Sequence, residues 1–241
     1  MSSGESLLHL ADVRSGYGDT EVLHGVSIDV QPGETVIILG PNGHGKTTLL
    51  RTISGLLPVR GGEITFSGNR LNGRPPDAIV GLGVLHIPQS DLLFPEMTVL
   101  ENLLMGAYLP DAWARRQERL QEIFNFFPRL EERQKQLART LSGGERRMLA
   151  IGRGLMGEGR LLMIDEPSLG LAPVIIEELY RRIGEIKASG RAILLVEESA
   201  AHVESLADRV YLLETGLIVR EGSPRELLAD DALLRTYLGV G

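Results

Sequence analysis

Residues 36–50 read VIILGPNGHGKTTLL, and this stretch decides the fold. Apolar residues run into Gly40, and Gly40, Gly45, Lys46 and Thr47 satisfy the spacing G-x-x-x-x-G-K-T before apolar residues resume. A buried strand that ends in a glycine-rich turn and reopens as a helix lets successive backbone N–H groups turn inward around an anion, and the helix N-terminus adds positive potential. The loop residues Gly40, Pro41, Asn42, Gly43, His44, Gly45, Lys46, Thr47 and Thr48 are therefore the expected phosphate cradle. Within it Lys46 is placed to reach the β- and γ-phosphates, and the Thr47 hydroxyl to ligate Mg²⁺.

On either side of that loop the chain alternates short apolar runs with helical patterns, the signature of an α/β fold with a largely parallel sheet. ETVIILG (34–40), RLLMID (160–165) and RAILLVEE (191–198) read as buried strands bounded by Gly, Pro or charge. The N-terminal stretch with turns at Gly18-Asp19 and Pro32-Gly33, together with GGEITFSGN, predicts a small antiparallel sheet, and VYLLETGLIVREG (210–222) a hairpin across Thr215-Gly216. Between about 95 and 155 strand signals vanish. There PDAWARRQERLQEIFNFFPRL sets Leu120, Ile123, Phe124 and Phe127 on one helical face, stops at Pro128, and predicts a helical subdomain with that face in its core. The clusters RRQER (115–119) and EERQKQLAR (131–139) mix Arg with Glu and Gln, as a solvated helix face does.

A triphosphate site needs a second metal ligand and a group to activate water. LLMIDEPS delivers both at the C-terminal end of a strand, Asp165 for the metal and Glu166 for the water, on the edge where open α/β sheets bind ligands. A second paired-glycine turn, LSGGE, opens another helix at Ser142, Gly143, Gly144 and Glu145, which is again an anion site of exposed hydroxyl and N–H groups. One nucleotide does not need two such sites from one chain, so the second is available to complete the site of a neighbour.

Composition narrows the classes. At 241 residues the chain fits one large domain or one with an inserted subdomain. Without cysteine there is no disulfide framework, and a reducing compartment is expected. The first 18 residues lack a basic region followed by an apolar stretch, no apolar run nears the ~18 residues of a membrane span, and a cytoplasmic chain is expected. A net charge of −7, from 25 basic and 32 acidic residues, argues against broad binding to nucleic acid, which is not expected as a partner, or to an anionic membrane.

Together GPNGHGKTT, LSGGE, LLMIDEP and the glutamine of HIPQSD resemble the ATP-binding cassette subunits of ABC transporters, from about residue 6 to 240. The resemblance implies a P-loop NTPase (RecA-like) core with an antiparallel β subdomain and an inserted α-helical subdomain. It divides the single domain 1–241 into 1–90 (β subdomain and P-loop part of the core), 91–155 (helical subdomain) and 156–241 (the rest of the core with the C-terminal hairpin and helix). It implies ATP with Mg²⁺, two cassettes paired head to tail as a homo- or heterodimer, and each ATP held between one P-loop and the other chain's LSGGE. Tyr17 then stacks on adenine, Gln89 joins the metal and senses the membrane partner, Glu166, Lys46 and Gln89 carry catalysis, and Ser142 to Glu145 contact the γ-phosphate in trans. Transmembrane permease subunits are the implied partners, with a solute-binding protein acting indirectly, on the inner face of the cytoplasmic membrane.

Two departures qualify that pattern. Family members carry a histidine after the strand that follows the Asp-Glu pair, and here LLVEESAAHV puts Glu198 in that place, with His202 four residues on and read as a helix-face histidine. A carboxylate beside a γ-phosphate repels it unless protonated or turned away. In SLGLAP (168–173) an Asp common in cassettes is missing, which leaves the contact to the backbone of Gly170-Leu171. MLAIGRGLM, DEPSLGLAP, VEES and the closing TYLG are similar to the second ATPase of branched-chain amino-acid importers, the LivF type; urea or amide and lipopolysaccharide systems are neighbours. Two further classes stand beside this one: a soluble cassette ATPase acting on nucleic acid or ribosomes, and a nucleotide-gated module that turns over slowly.

Overall fold

The computed structural model describes residues 6–229, so the TYLG segment at 236–239 lies outside it. Leu8–Tyr17 (β1) turns back at Gly18-Asp19 into Thr20–Val30 (β2), and a turn at Pro32-Gly33 leads into Thr35–Leu39 (β3). The glycine loop opens Lys46–Ile53 (α1), followed by Gly61–Phe66 (β4), Asn69–Arg70 (β5), Pro76–Gly81 (α2) and Val84–Ile87 (β6). The helical section holds Val99–Met105 (α3), Pro110–Ala114 (α4), Arg116–Phe126 (α5), Pro128–Glu132 (α6), a 3-10 turn at Ala138–Thr140, and Gly143–Leu155 (α7). Then come Leu161–Asp165 (β7), Pro173–Ala188 (α8), Ala192–Glu197 (β8), Val203–Leu206 (α9), Arg209–Glu214 (β9), Leu217–Gly222 (β10) and Pro224–Leu228 (α10).

Two sheets organise these strands. The first is antiparallel, in the order β2-β1-β4-β5; the second runs β10-β9-β3-β8-β7-β6, parallel except for the β9–β10 hairpin. Every residue of β3, β7 and β8 is buried, because each strand faces apolar matter on both sides. Ile37 and Leu39 of β3 pack with the helical side, whereas Val36 and Ile38 pack with α1 and the antiparallel sheet. This layering brings the glycine loop after β3 and Asp165 at the end of β7 to one edge, with β8 between them.

The helical section differs from its sequence pattern in one respect. The helical stretch expected from Pro110 to the stop at Pro128 is two helices, broken at Arg115, and Pro128 begins α6 instead of only ending α5. Proline lacks the N–H that the first helical position leaves unpaired and pushes the residue before it out of helical geometry, as the ψ of 72° at Phe127 records. Leu120, Ile123, Phe124 and Phe127 are buried as their spacing predicts. Most of the arginine-rich clusters are exposed pairs, such as Arg115 to Glu118 at 3.0 Å and Arg129 to Glu132 at 2.7 Å, but the Arg119 side chain is only 15% exposed. The four-residue strand β6 carried too little pattern to be read, and it places Gln89 beside the site.

Candidate functional site

The glycine loop is held open by its own backbone. Gly40 N–H donates to the Glu197 carbonyl, and a Cβ on Gly40 would lie 2.2 Å from the Leu213 carbonyl oxygen, so only glycine fits. The Lys46 Nζ donates to the carbonyls of Gly40 at 2.7 Å and Pro41 at 3.1 Å and pairs with Glu166 Oε1 at 3.0 Å, with both side chains nearly buried. Thr47 Oγ1 donates to Asp165 Oδ1 at 3.1 Å, and Gln89 Nε2 donates to Glu166 Oε2 at 2.8 Å. Residues separated by more than a hundred positions thus form one hydrogen-bonded group.

That group borders a cleft of about 360 Å³ lined by Tyr17, Val22, Asn42, Gly43, Gly45, Lys46, Thr47, Thr48, Gln89 and Glu166. Gly40, Pro41, His44 and Asp165 lie outside the lining, the first two bound through their carbonyls to Lys46 and Asp165 through Thr47. Tyr17 is 43% exposed at the rim and its hydroxyl accepts from Arg51. Glu166 has a φ of 42°, a left-handed conformation unusual for a non-glycine residue and held here by its N–H bond to the Val196 carbonyl.

Burial raises the Asp165 carboxyl above its ordinary range; the Thr47 bond opposes this and the Glu166 charge adds to it. Its Oδ2 is buried with no hydrogen-bond partner. A hard dication binds oxygen, and Thr47 hydroxyl, Asp165 carboxylate and the Gln89 amide oxygen form a donor set of that chemistry.

The LSGGE residues stand elsewhere. Ser142 caps α7: its hydroxyl accepts from the Glu145 N–H and donates to Glu145 Oε2 at 2.8 Å, while the same carboxylate accepts from the Ser142 N–H. Burial raises the Glu145 pKa, but those bonds and Arg133, with Nε 2.6 Å away, outweigh it and hold the group below the usual carboxylate range. Ser142, Gly143, Gly144 and Glu145 do not line the cleft.

Several residues bear on the site without a sequence motif. Arg147, two positions beyond LSGGE and 5% exposed, donates to the carbonyls of Pro88, at 3.2 Å, and Gln89, and so ties α7 to the segment carrying Gln89. Glu197, at the end of β8, is buried and accepts from the hydroxyls of Tyr180 and Ser168; burial raises its carboxyl pKa against those bonds. Tyr180 in turn stacks on His202, which precedes α9, with ring centroids 3.9 Å apart. Glu198 accepts from Asn42 Nδ2 at 2.8 Å. His44 Nδ1 accepts from the Thr215 N–H at 3.1 Å and its carbonyl from Gly216, which fastens the β9–β10 turn to the glycine loop. A basic residue adjacent to a motif was the signal available for Arg147; His44, Glu198 and His202 were named from the sequence, whereas Glu197, Tyr180 and Thr215 are joined to the site only by the fold.

Residues 23–169 match the model of the ABC transporter family. The chain is 41% identical over 97% of its length to the high-affinity branched-chain amino acid transport ATP-binding protein BraG of Pseudomonas aeruginosa, all of which is covered. It is 34% identical over 97% of its length to the probable branched-chain amino acid transport ATP-binding protein LivF of Archaeoglobus fulgidus, 99% of which is covered. Among solved structures, the ADP conformation of an ATP-binding cassette of an ABC transporter superposes with a TM-score of 0.84 at 29% identity, over 98% of this chain and 100% of that one. The chain belongs to the ABC transporter family and is one of its ATPase cassettes.

Proposed function

We propose that this cassette energises import of branched-chain or related amino acids across the cytoplasmic membrane, as one of two ATPase subunits bound to transmembrane permeases on the inner face. The observation that carries the motor reading is the group Lys46–Glu166–Gln89 beside Thr47–Asp165, which gathers phosphate, metal and water-activating chemistry within hydrogen-bond reach. The transport functions of the two relatives above support the cargo, which other subunits select. A homo- or heterodimer with ATP at the interface, and a solute-binding protein delivering cargo, complete the assembly.

In this reading Lys46 exchanges Glu166 and the loop carbonyls for β- and γ-phosphate oxygens when ATP binds. Glu166, freed from the ammonium, orients and deprotonates the attacking water, and Gln89 holds its carboxylate meanwhile. Thr47, Asp165 and Gln89 would hold Mg²⁺, which supplies charge neutralisation on the phosphates. Asn42, Gly43, Gly45 and Thr48 offer loop donors, with Gly40, Pro41 and His44 fixing the loop's shape; Tyr17 stacks on the base. Ser142, Gly143 and Gly144 present donors to the γ-phosphate of a neighbouring chain, and Glu145 serves that contact by capping the helix. The three parts 1–90, 91–155 and 156–241 then act as nucleotide side, permease-facing lever and the remainder of the core.

The test is affinity purification of the tagged protein from its host after mild detergent extraction, followed by mass spectrometry. Polytopic membrane proteins, a related cassette and a solute-binding protein are the expected companions; recovery of ribosomes or DNA-bound proteins without membrane subunits would overturn the reading. Glu198, in the place of the customary histidine and engaged by Asn42, favours a second reading as a slow nucleotide-gated module. Steady-state turnover of the assembled complex no faster than that of a Glu166→Gln variant would support it.

A further inference from the structure

At the opposite end of the parallel strands lies a second cleft, of about 360 Å³, lined by Arg119, Glu122, Glu158, Arg160, Ser189 and Arg191 together with Gly159. It sits where the chain enters β7 and β8, so β7, whose five residues span roughly 16 Å at ~3.3 Å each, separates it from Asp165. Its charge runs against that of the molecule: the whole chain carries −7, yet three guanidiniums here face two carboxylates. One of the carboxylates, Glu158, is engaged from outside the cleft by Arg115 at 2.9 Å and reaches Arg119 inside it only at 3.8 Å. Glu122 pairs with Arg119 at 2.8 Å and reaches Arg191 only at 3.7 Å.

The guanidiniums are also incompletely bonded. Arg191 is 12% exposed, and its Nη1 is buried without a hydrogen-bond partner; Arg119 Nε is in the same condition. Burying a guanidinium with an open donor is costly unless an acceptor reaches it. Arg160, also in the lining, is held at its outer side by the Phe66 ring, 5.4 Å from its Cζ, and donates to the Ser67 hydroxyl. Three planar forks around a small concavity with surplus positive charge match a tetrahedral oxyanion with several acceptor oxygens and close to two negative charges.

We propose that this cleft is a binding site for a phosphate-type oxyanion, distinct from the nucleotide site. Arg191 and Arg119 supply the primary donors, Arg160 closes one side, and Glu158 limits affinity as the competing anion. The same chemistry is presented by free phosphate and by the headgroup of an anionic phospholipid.

The experiment is a calorimetric titration of inorganic phosphate into the full chain saturated with AMP-PNP, which keeps the P-loop out of the titration. One site is expected, weakened by about tenfold or more in Arg191→Gln through loss of a charge-assisted contact. Glu158→Gln should tighten binding several-fold, a gain that misfolding cannot produce. Flotation with phosphatidylcholine vesicles, with and without phosphatidylglycerol, separates the sources: binding to the anionic vesicles that Arg191→Gln removes identifies a headgroup, and phosphate binding without flotation identifies a soluble anion. Absence of both, or binding unchanged in both variants, overturns the proposal.

Discussion

The buried pair Lys46–Glu166 links catalysis to stability. Replacing Glu166 by Gln removes the carboxylate proposed to activate water, so turnover should fall by about 10²-fold or more. It also leaves the Lys46 charge with only carbonyl partners in a nearly buried setting, which should lower the stability of the nucleotide-free chain by about 1–3 kcal/mol. Phosphate oxygens restore a counter-charge to Lys46, and saturating ATP is therefore expected to raise the unfolding temperature more in the variant than in the wild type. Equal shifts by differential scanning fluorimetry would sink this account. His86 gives a separate acid dependence. The Ser54 hydroxyl donates to Leu50 and accepts from His86 Nδ1, while burial, with Arg51 nearby, lowers the imidazole pKa to about 4 from 6.5. The unfolded chain takes up a proton in that window that the folded chain refuses, so stability present above pH 6.5 is lost as pH falls toward 4, by about 2–3 kcal/mol. A urea titration series should show a shallower loss in His86→Asn. Lys46, Thr47, Asp165 and Glu166 were legible because their chemistry needs fixed neighbours in sequence. Glu197 and Tyr180 were not, nor was the stacking of His202, since only folding brings these residues together at the end of β8.

Among the elements, α7 packs closely against α3. A Cβ on Gly106, at the end of α3, would sit 1.9 Å from the Arg153 carbonyl oxygen, and one on Gly152 would meet Ile123 and Leu103 at 3.1 Å. Backbone cannot yield as a flexible side chain does, so Gly106→Ala should cost about 1–3 kcal/mol and part α3 from α7, measurable by urea denaturation. Arg147→Met tests the other side of the same helix. It keeps an apolar stem but frees the Pro88 and Gln89 carbonyls, and the expected result is a drop in kcat larger than any change in nucleotide affinity, because Gln89 loses its anchor. The sequence exposed β3, β7, β8 and the β9–β10 hairpin through their apolar runs and turn residues. It exposed the stop at Pro128 but not the break at Arg115, where neither proline nor glycine interrupts the pattern while the backbone dihedrals change.

For the whole molecule, the decisive fact is that residues 142–145 stay outside the cleft that holds Lys46 and Glu166. A head-to-tail pair explains both sites with one ligand. Ser142→Trp in a Glu166→Gln background should therefore abolish ATP-dependent dimerisation in light scattering while monomer nucleotide affinity is kept; an equal fall in monomer affinity would contradict contact in trans. The layered architecture was readable from the order of its segments, whereas the joining of His44 to Thr215 depends on strand order alone. That joining has a consequence for how the protein is made. The glycine loop leaves the ribosome early, but β3 has β8 and β9 as its two neighbours, and its loop is braced by the turn that follows β9. Both flanking strands are translated long after the loop, so a product that stops between them has the motif without its scaffold. The ability to capture nucleotide should arrive only once β8 and β9 have been made, which keeps shorter products from consuming ATP.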